Sequence, residues 1–437
     1  MKRIAYLLCL ALLFGACKKN NTPEAQPVNL GLKVAYSVTD SKLPITSVEL
    51  SIKNLTTGNI QKGSTNANGE FTFESISTGT YDITAKIVIP ATAYTAATGI
   101  ATNTAVTFNA SILNKIIAPN FSGNLNLTLI TGTTSDWVIK QVYYAGSDLV
   151  EGAMYRDQFI EIHNNSDKTL YADGLYFAEL TGRQSLTNST YQTLSDGQLD
   201  WSKSIDMPIN IDANNDYVYT KALHMIPGSG QQYPVLPGKS IIIAQTAQNH
   251  KQPFTGADQT SISVRNPGLT VDLSTAQFEA HYASYGANQL DSDIDNPNSV
   301  NIEVLQMGGR DMIFDTNGRT AYIIFKINDG PRDLKQYYYP LKAAPGTSEK
   351  KYYQIPNKYI LDAVETQPQA ASARIPKKLS ASYDSGFTFT PKGIYSSQSV
   401  IRKIASTIDG RVILKDTNNS SDDFGVFDIA QPWGFYK

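Results

Sequence analysis

The sequence predicts an all-β protein built from two β-sandwich domains in tandem, the second carrying large insertions. Three observations carry that expectation. Short runs of Val, Ile, Leu, Tyr and Thr alternate with polar residues and are punctuated by Gly, Asn and Pro, the period-2 pattern of half-buried strands. Charged residues make up 17% of the chain, with 25 Tyr and 30 Gly, a balance that suits β-proteins better than helical repeats. The 437 residues are enough for two or three domains with real cores. A net charge of −2 and a pI near 6.1, without basic runs, argue against a nucleic-acid partner, because phosphate contact needs clustered Lys and Arg.

The N-terminus reads as an address. Met1-Lys2-Arg3 precedes an apolar run from Ile4 to Phe14, too short for a membrane span of about 20 residues. Phe14-Gly15-Ala16-Cys17 then resembles the lipobox of bacterial lipoproteins, with Phe14 where that motif usually has Leu. The resemblance implies a signal peptide over 1–16, lipid attachment at Cys17 and a membrane partner reached through the acyl chains. An ordinary secretory signal is the alternative. Cys9 leaves with the signal, so no intrachain disulfide can form in the mature chain. Residues 17–27, with Pro23 and Pro27, read as a tether. No acidic run follows Cys17, and the leaflet, periplasmic or surface-exposed, stays open.

Residues 28–131 form the first predicted domain. Strands are expected at Leu30 to Val38, Val48 to Asn54, Glu70 to Ser75, Tyr81 to Ile89, Val106 to Ile112 and Leu125 to Leu129, with Ala91 to Ala105 as a long loop. Asn68-Gly69 supplies turn residues between strands, and Phe71 and Phe73 share a face. Thr65 to Phe73, followed by Ile76, Gly79 and Tyr81, resembles the carboxypeptidase-regulatory-like or Cna B-type fold. That resemblance implies a spacer or recognition module.

The second domain, 132–437, opens after the linker Thr131 to Ser135 with the strand Trp137 to Tyr143. Its ordered segments are Asp157 to Ser166, Asp173 to Phe177, Leu236 to Ala244, Ile360 to Val364, Ser399 to Lys403 and Asp416 to Phe424. In this order they resemble the lamin-tail domain, which implies an immunoglobulin-like sandwich. The span far exceeds the roughly 100 residues of such a sandwich, so insertions are expected at Gln245 to Asn301 and Asn328 to Gln354. The lipoprotein start, the N-terminal β-module and the expanded domain together resemble an uncharacterised family of Bacteroidota lipoproteins, domain of unknown function 4876. The resemblance brings no activity with it.

Chemistry is sparse. His163, His224, His250 and His281 are scattered, without paired metal spacing, and are expected at the surface. No G-x-S-x-G elbow, Walker loop or dinucleotide fingerprint occurs. Glu151, Glu161, Glu179, Glu279 and Glu303 are the acids from which a glycosidase pair would have to come. Asp291, Asp293 and Asp295 alternate as in the first half of a calcium loop, but Asn296 replaces the turn Gly and Glu303 comes one residue late. A calcium clip and a solvated acidic turn are the two readings. No cofactor is expected, with calcium at this turn as the alternative. Tyr337 and Tyr339, with Tyr352 and Tyr353, form either a sugar-stacking or protein-docking platform or an ordinary strand with Tyr338 buried. The expected function is a non-enzymatic binding or scaffold lipoprotein of the outer membrane, with an outer-membrane transporter of the TonB-dependent type or an extracellular ligand as partner. An acid–base glycan hydrolase and a structural or adhesive surface protein are the alternatives.

Overall fold

The protein is described from a computed structural model, over residues 27–37, 42–100, 102, 105–131, 135–286, 288–327, 334–346 and 349–437. The expected signal over 1–16, Cys17, the expected tether up to residue 26, residues 132–134 of the expected linker and parts of the 328–354 segment lie outside the described residues. The architecture is all-β, as the alternation predicts. Two compact units divide the chain, one of Met1–Ala35, Ile45–Thr84 and Ile112–Leu127, the other of Tyr36–Pro44, Ala85–Ser111 and Thr128–Lys437.

The N-terminal strands form two sheets. One runs Glu70–Ile76, Val28–Tyr36, Asn124–Leu129, and the other Ile60–Ser64, Glu49–Asn54, Gly79–Ile89, Val106–Ile117. Leu30, Leu32, Leu50, Ile52, Phe73 and Ile83 are buried, the alternate residues of their strands. At the expected turn only Gly69 takes positive φ (+73°); a Cβ there would lie 2.6 Å from the Val34 carbonyl oxygen. The Asn66 side chain closes the turn by accepting from the backbone N–H groups of Asn68 and Glu70. Phe73 is buried, whereas Phe71 is half-buried and lies over Gly63. Two elements depart from the sequence reading. Ile60–Ser64 is an additional strand with no buried residue, and Ala91–Thr98, expected as loop, is a helix ended by Gly99 in the left-handed conformation.

The body of the larger unit is a sandwich of two seven-stranded sheets. The first runs Gln336–Tyr338, Lys351–Pro356, Tyr217–Met225, Tyr176–Leu180, Ala321–Phe325, Ile360–Glu365, with Glu303–Gln306 also paired to Tyr217–Met225. The second runs Val300–Asn301, Phe278–Glu279, Ser240–Ala244, Phe159–Asn164, Trp137–Tyr143, Ser399–Arg402, Phe424–Phe427. Phe278–Glu279 pairs parallel with both its neighbours. Ile139, Ile160, Ile162, Ile243 and Val400 of the second sheet share one core with Phe177, Tyr322, Ile324 and Val364 of the first.

Both sheets are also covered on their outer faces. Tyr176, Leu180, Ile323 and Phe325 pack with Leu379 on one side. Tyr143, Phe159, Ile242 and Ala244 pack with Val271, Leu273 and Trp433 on the other. Ser240–Ala244 and Ala321–Phe325 are therefore near-continuous apolar runs, because neither face meets water. The 245–301 insertion supplies much of this cover and adds Phe278–Glu279 to the sheet, so it belongs to the body of the fold.

Candidate functional site

The residues singled out from sequence do not converge. Asp291 and Asp295 are exposed, whereas Asp293 is buried and accepts from the Ala283 N–H at 2.9 Å. Asp295 accepts from Asn301 Nδ2 at 2.7 Å. Among the described residues no three His, Cys, Asp or Glu side chains are grouped as a metal ion would need. The tyrosines form a satellite core. Tyr337 is buried, Tyr339 and Tyr352 lie 4.3 Å apart between ring centroids, and Trp201 stacks on Tyr219 at 3.6 Å. Thr181 Oγ1 hydrogen-bonds the Tyr339 hydroxyl. Tyr338 is half-buried, the reverse of the sequence expectation, because the segment carrying Leu199, Trp201 and Met207 covers the face that holds Tyr337. Tyr353 packs separately, against the outer face of the first sheet.

The candidate acids are spread over the fold. Glu161 lies on the second sheet, paired with Lys140 at 2.7 Å, and Glu179 on the first, paired with Lys221 at 2.5 Å. Glu279 accepts from the N–H groups of Ala247 and Asn296, and burial pushes its carboxyl up to about 7. Glu151 is exposed and Glu303 half-buried. Three of the four histidines are interior, against the surface expectation. His163 bonds Ser240 Oγ and the Val412 carbonyl, His224 bonds the Tyr282 hydroxyl at 2.7 Å, and His250 bonds the Thr246 carbonyl. Burial depresses all three, His163 and His250 to about 4 and His224 to about 3, so they are neutral hydrogen-bonding groups at pH 7.

A site the sequence did not disclose lies at one end of the sandwich. It is an open groove of about 700 Å3, a volume suited to a small ligand. One wall is Ser135, Asp136 and Trp137, leading into the second sheet; the opposite wall is Lys358, Ile360 and Leu361, leading into the first. Thr169, Leu170 and Tyr171, the last two in a two-stranded ribbon with Pro234–Val235, together with Gly230 and Lys326, which follows Ala321–Phe325, complete it.

Two hydrogen-bonded networks tie this end together. The first is a buried ion network. Arg402 donates to Asp362 at 2.5 Å, to Asp416 at 3.2 Å and to the carbonyls of Ile139 and Lys415, while Asp362 also accepts the Ile139 N–H at 2.6 Å. Asp423 stands 3.7 Å from the guanidinium and Phe424 lies beneath it. Asp362 follows the groove residues Ile360 and Leu361, and Ile139 lies two residues past Trp137, so the network ties one wall to the other. Burial opposes the Arg402 charge, but three carboxylates hold its proton more firmly than in water. The second centres on Asp173. Burial would raise its carboxyl, yet the N–H groups of Gln232, Tyr233 and Gly230 hold it below the ordinary value and fix the loop that brings Gly230 to the groove.

Lys326 is the electrostatic feature of the groove. Its side chain is half-buried and donates to the Tyr171 carbonyl at 2.8 Å. Desolvation lowers its pKa, against an opposing pull from Asp173. The groove carboxylate Asp136 faces Lys168 at 3.0 Å.

Residues 236–429 match the family model described as protein of unknown function (DUF4876). The chain is similar to a solved DUF4876 family protein from Bacteroides thetaiotaomicron VPI-5482, at 26% identity over 91% of this chain and 95% of that one, with a TM-score of 0.48. It is also similar to fervidolysin from Fervidobacterium pennivorans, a keratinolytic enzyme related to subtilisin, at 13% identity over 52% of this chain and 26% of that one, TM-score 0.19. A DUF3823 family protein from Bacteroides ovatus ATCC 8483 shares 14% identity over 50% of this chain and 98% of that one, TM-score 0.14. No curated protein matches. The DUF4876 match contains Lys326, Lys358, Asp362 and Arg402, whereas Trp137 and Tyr171 precede it.

Proposed function

We propose that this protein is a lipid-anchored, non-enzymatic binding module of the bacterial outer membrane, tethered through Cys17 and holding a ligand in the groove between Trp137 and Leu361. The supporting observation is the groove itself: ligand-sized, open, walled by both sheets and braced by the Arg402 network. A binding site needs a fixed shape more than a reactive group. Handing the ligand to a TonB-dependent transporter is the physiological role we assign to it. Of the candidate acids, Glu161 and Glu179 are paired with lysines, Glu279 accepts from two backbone N–H groups and Glu151 faces Arg265, an arrangement that does not favour the hydrolase reading.

Hydrogen exchange of the lipidated chain tests this, with and without a small-molecule extract of native envelopes. Protection is expected over 135–137, 169–171 and 358–361, and loss of that protection in Thr169→Trp, which fills the groove. Exchange unchanged by the extract, or protection that survives Thr169→Trp, contradicts the assignment.

A further inference from the structure

Lys326 carries a charge that no described carboxylate meets in a direct ion pair. Its Nζ has one hydrogen-bond acceptor, the neutral Tyr171 carbonyl, and no carboxylate within ion-pair distance among the described residues. The acid nearest to it in effect, Asp173, accepts from three backbone N–H groups, and Asp136 in the groove wall faces Lys168. A half-buried cation whose nearest anion does not hydrogen-bond it is costly, and the cost falls when an anion arrives to share a charge-assisted hydrogen bond. Lys358 places a second, exposed amine on the rim. Leu170, Tyr171 and Leu361 offer the remainder of a ligand a partly apolar wall.

We propose that the groove takes a small anionic ligand, whose carboxylate, sulfate or phosphate is held by Lys326 and supported by Lys358. This rests on the reading of the groove as the ligand site. The volume of about 700 Å3 suits a molecule of one or two sugar rings or a short acyl chain, and is too small for a folded partner.

The test is calorimetric titration of the lipidated full chain in detergent with glucuronate, glucose 6-sulfate, glucose 6-phosphate and neutral glucose. At least one of the anions is expected to bind about tenfold more tightly than glucose, with affinity falling as salt is raised. Which anion binds best separates a carboxylate from a sulfate or phosphate source. Lys326→Met should weaken anion binding about tenfold without lowering the unfolding temperature, because it removes a half-buried cation that no described carboxylate pairs with directly; Lys326→Arg should retain most of the binding. Lys358→Ala, at an exposed position, provides a second reading and should weaken binding severalfold with the fold unaffected. Equal binding of glucose and all the anions, undiminished binding by Lys326→Met, or no anion binding at millimolar concentration overturns the proposal. If glucose alone binds and Thr169→Trp abolishes that binding, the groove stands as a site and the anionic class fails.

Discussion

Replacing Arg402 with Met removes the single cation that three carboxylates share. Side-chain exposure is 1% for Arg402 and 3%, 6% and 1% for Asp362, Asp416 and Asp423. The methionine keeps most of the packing against Phe424, so the loss is electrostatic. Asp362 loses a 2.5 Å bond and Asp416 a 3.2 Å bond, and both remain buried. Breaking a buried ion pair by deleting one partner costs about 3 to 5 kcal/mol, most of it from the orphaned charge. The loss should grow with pH, since an orphaned Asp362 is relieved only by taking up a proton. Adding Asp362→Asn should recover at least about 1 kcal/mol, because Asn Oδ1 still accepts the Ile139 N–H while the charge is gone. Urea unfolding followed by tryptophan fluorescence measures all three effects, with Trp137 next to the network as reporter. A loss under about 1 kcal/mol, or a double variant no more stable than the single one, would refute the view that the network braces the two walls.

Glu279 and Asp311 should give the protein an alkaline weakness. Burial, with Asp293 nearby, pushes Asp311 up to about 8, and Glu279 stands at about 7, against ordinary values of 3.8 and 4.5. Folded values above unfolded ones mean a stabilising contribution that is complete below about pH 4 and is lost as pH rises through 7 to 8. Protection over 279–312, after correction for the intrinsic rise of amide exchange with pH, should therefore fall between about pH 4 and 8, and Asp311→Asn should lessen that fall; wild-type protection unchanged across that range counts against it. Trp201→Ala should cost about 3 to 5 kcal/mol by removing the ring stacked on Tyr219, and a loss near zero in urea unfolding would mean that the aromatic cluster is not a core. Cys17→Ala should leave the chain unprocessed or release it from the membrane fraction, and unchanged membrane retention with normal processing would contradict lipid anchoring.

What could be read from the sequence followed the apolar pattern. Trp137–Tyr143 and Ser240–Ala244 were visible because buried strands must be dense in β-branched and aromatic residues. Ile60–Ser64 was invisible for the opposite reason: Gln61, Lys62 and Gly63 present no apolar face, and only pairing with Glu49–Asn54 makes it a strand. The helix Ala91–Thr98 buries no residue, so it leaves no periodic stripe; Pro90 before it and Gly99 after it were the available signal. The segments holding Asp362, Arg402 and Asp416 stood out in the sequence, but their meeting in one network depends on strand order that local patterns do not encode. The groove was illegible because its residues come from stretches far apart in the chain, and Lys326 is an ordinary lysine until the sandwich half-buries it beside Tyr171.

Amine footprinting of the lysines in isolated native envelopes tests the groove most directly, with the purified lipidated chain as reference and per-residue acetylation read by mass spectrometry. A groove occupied by its ligand requires Lys326 and Lys358 to be labelled severalfold less in envelopes than in the purified chain, with exposed Lys53 unchanged. Equal labelling of Lys326 in the two preparations would contradict the groove as the functional site.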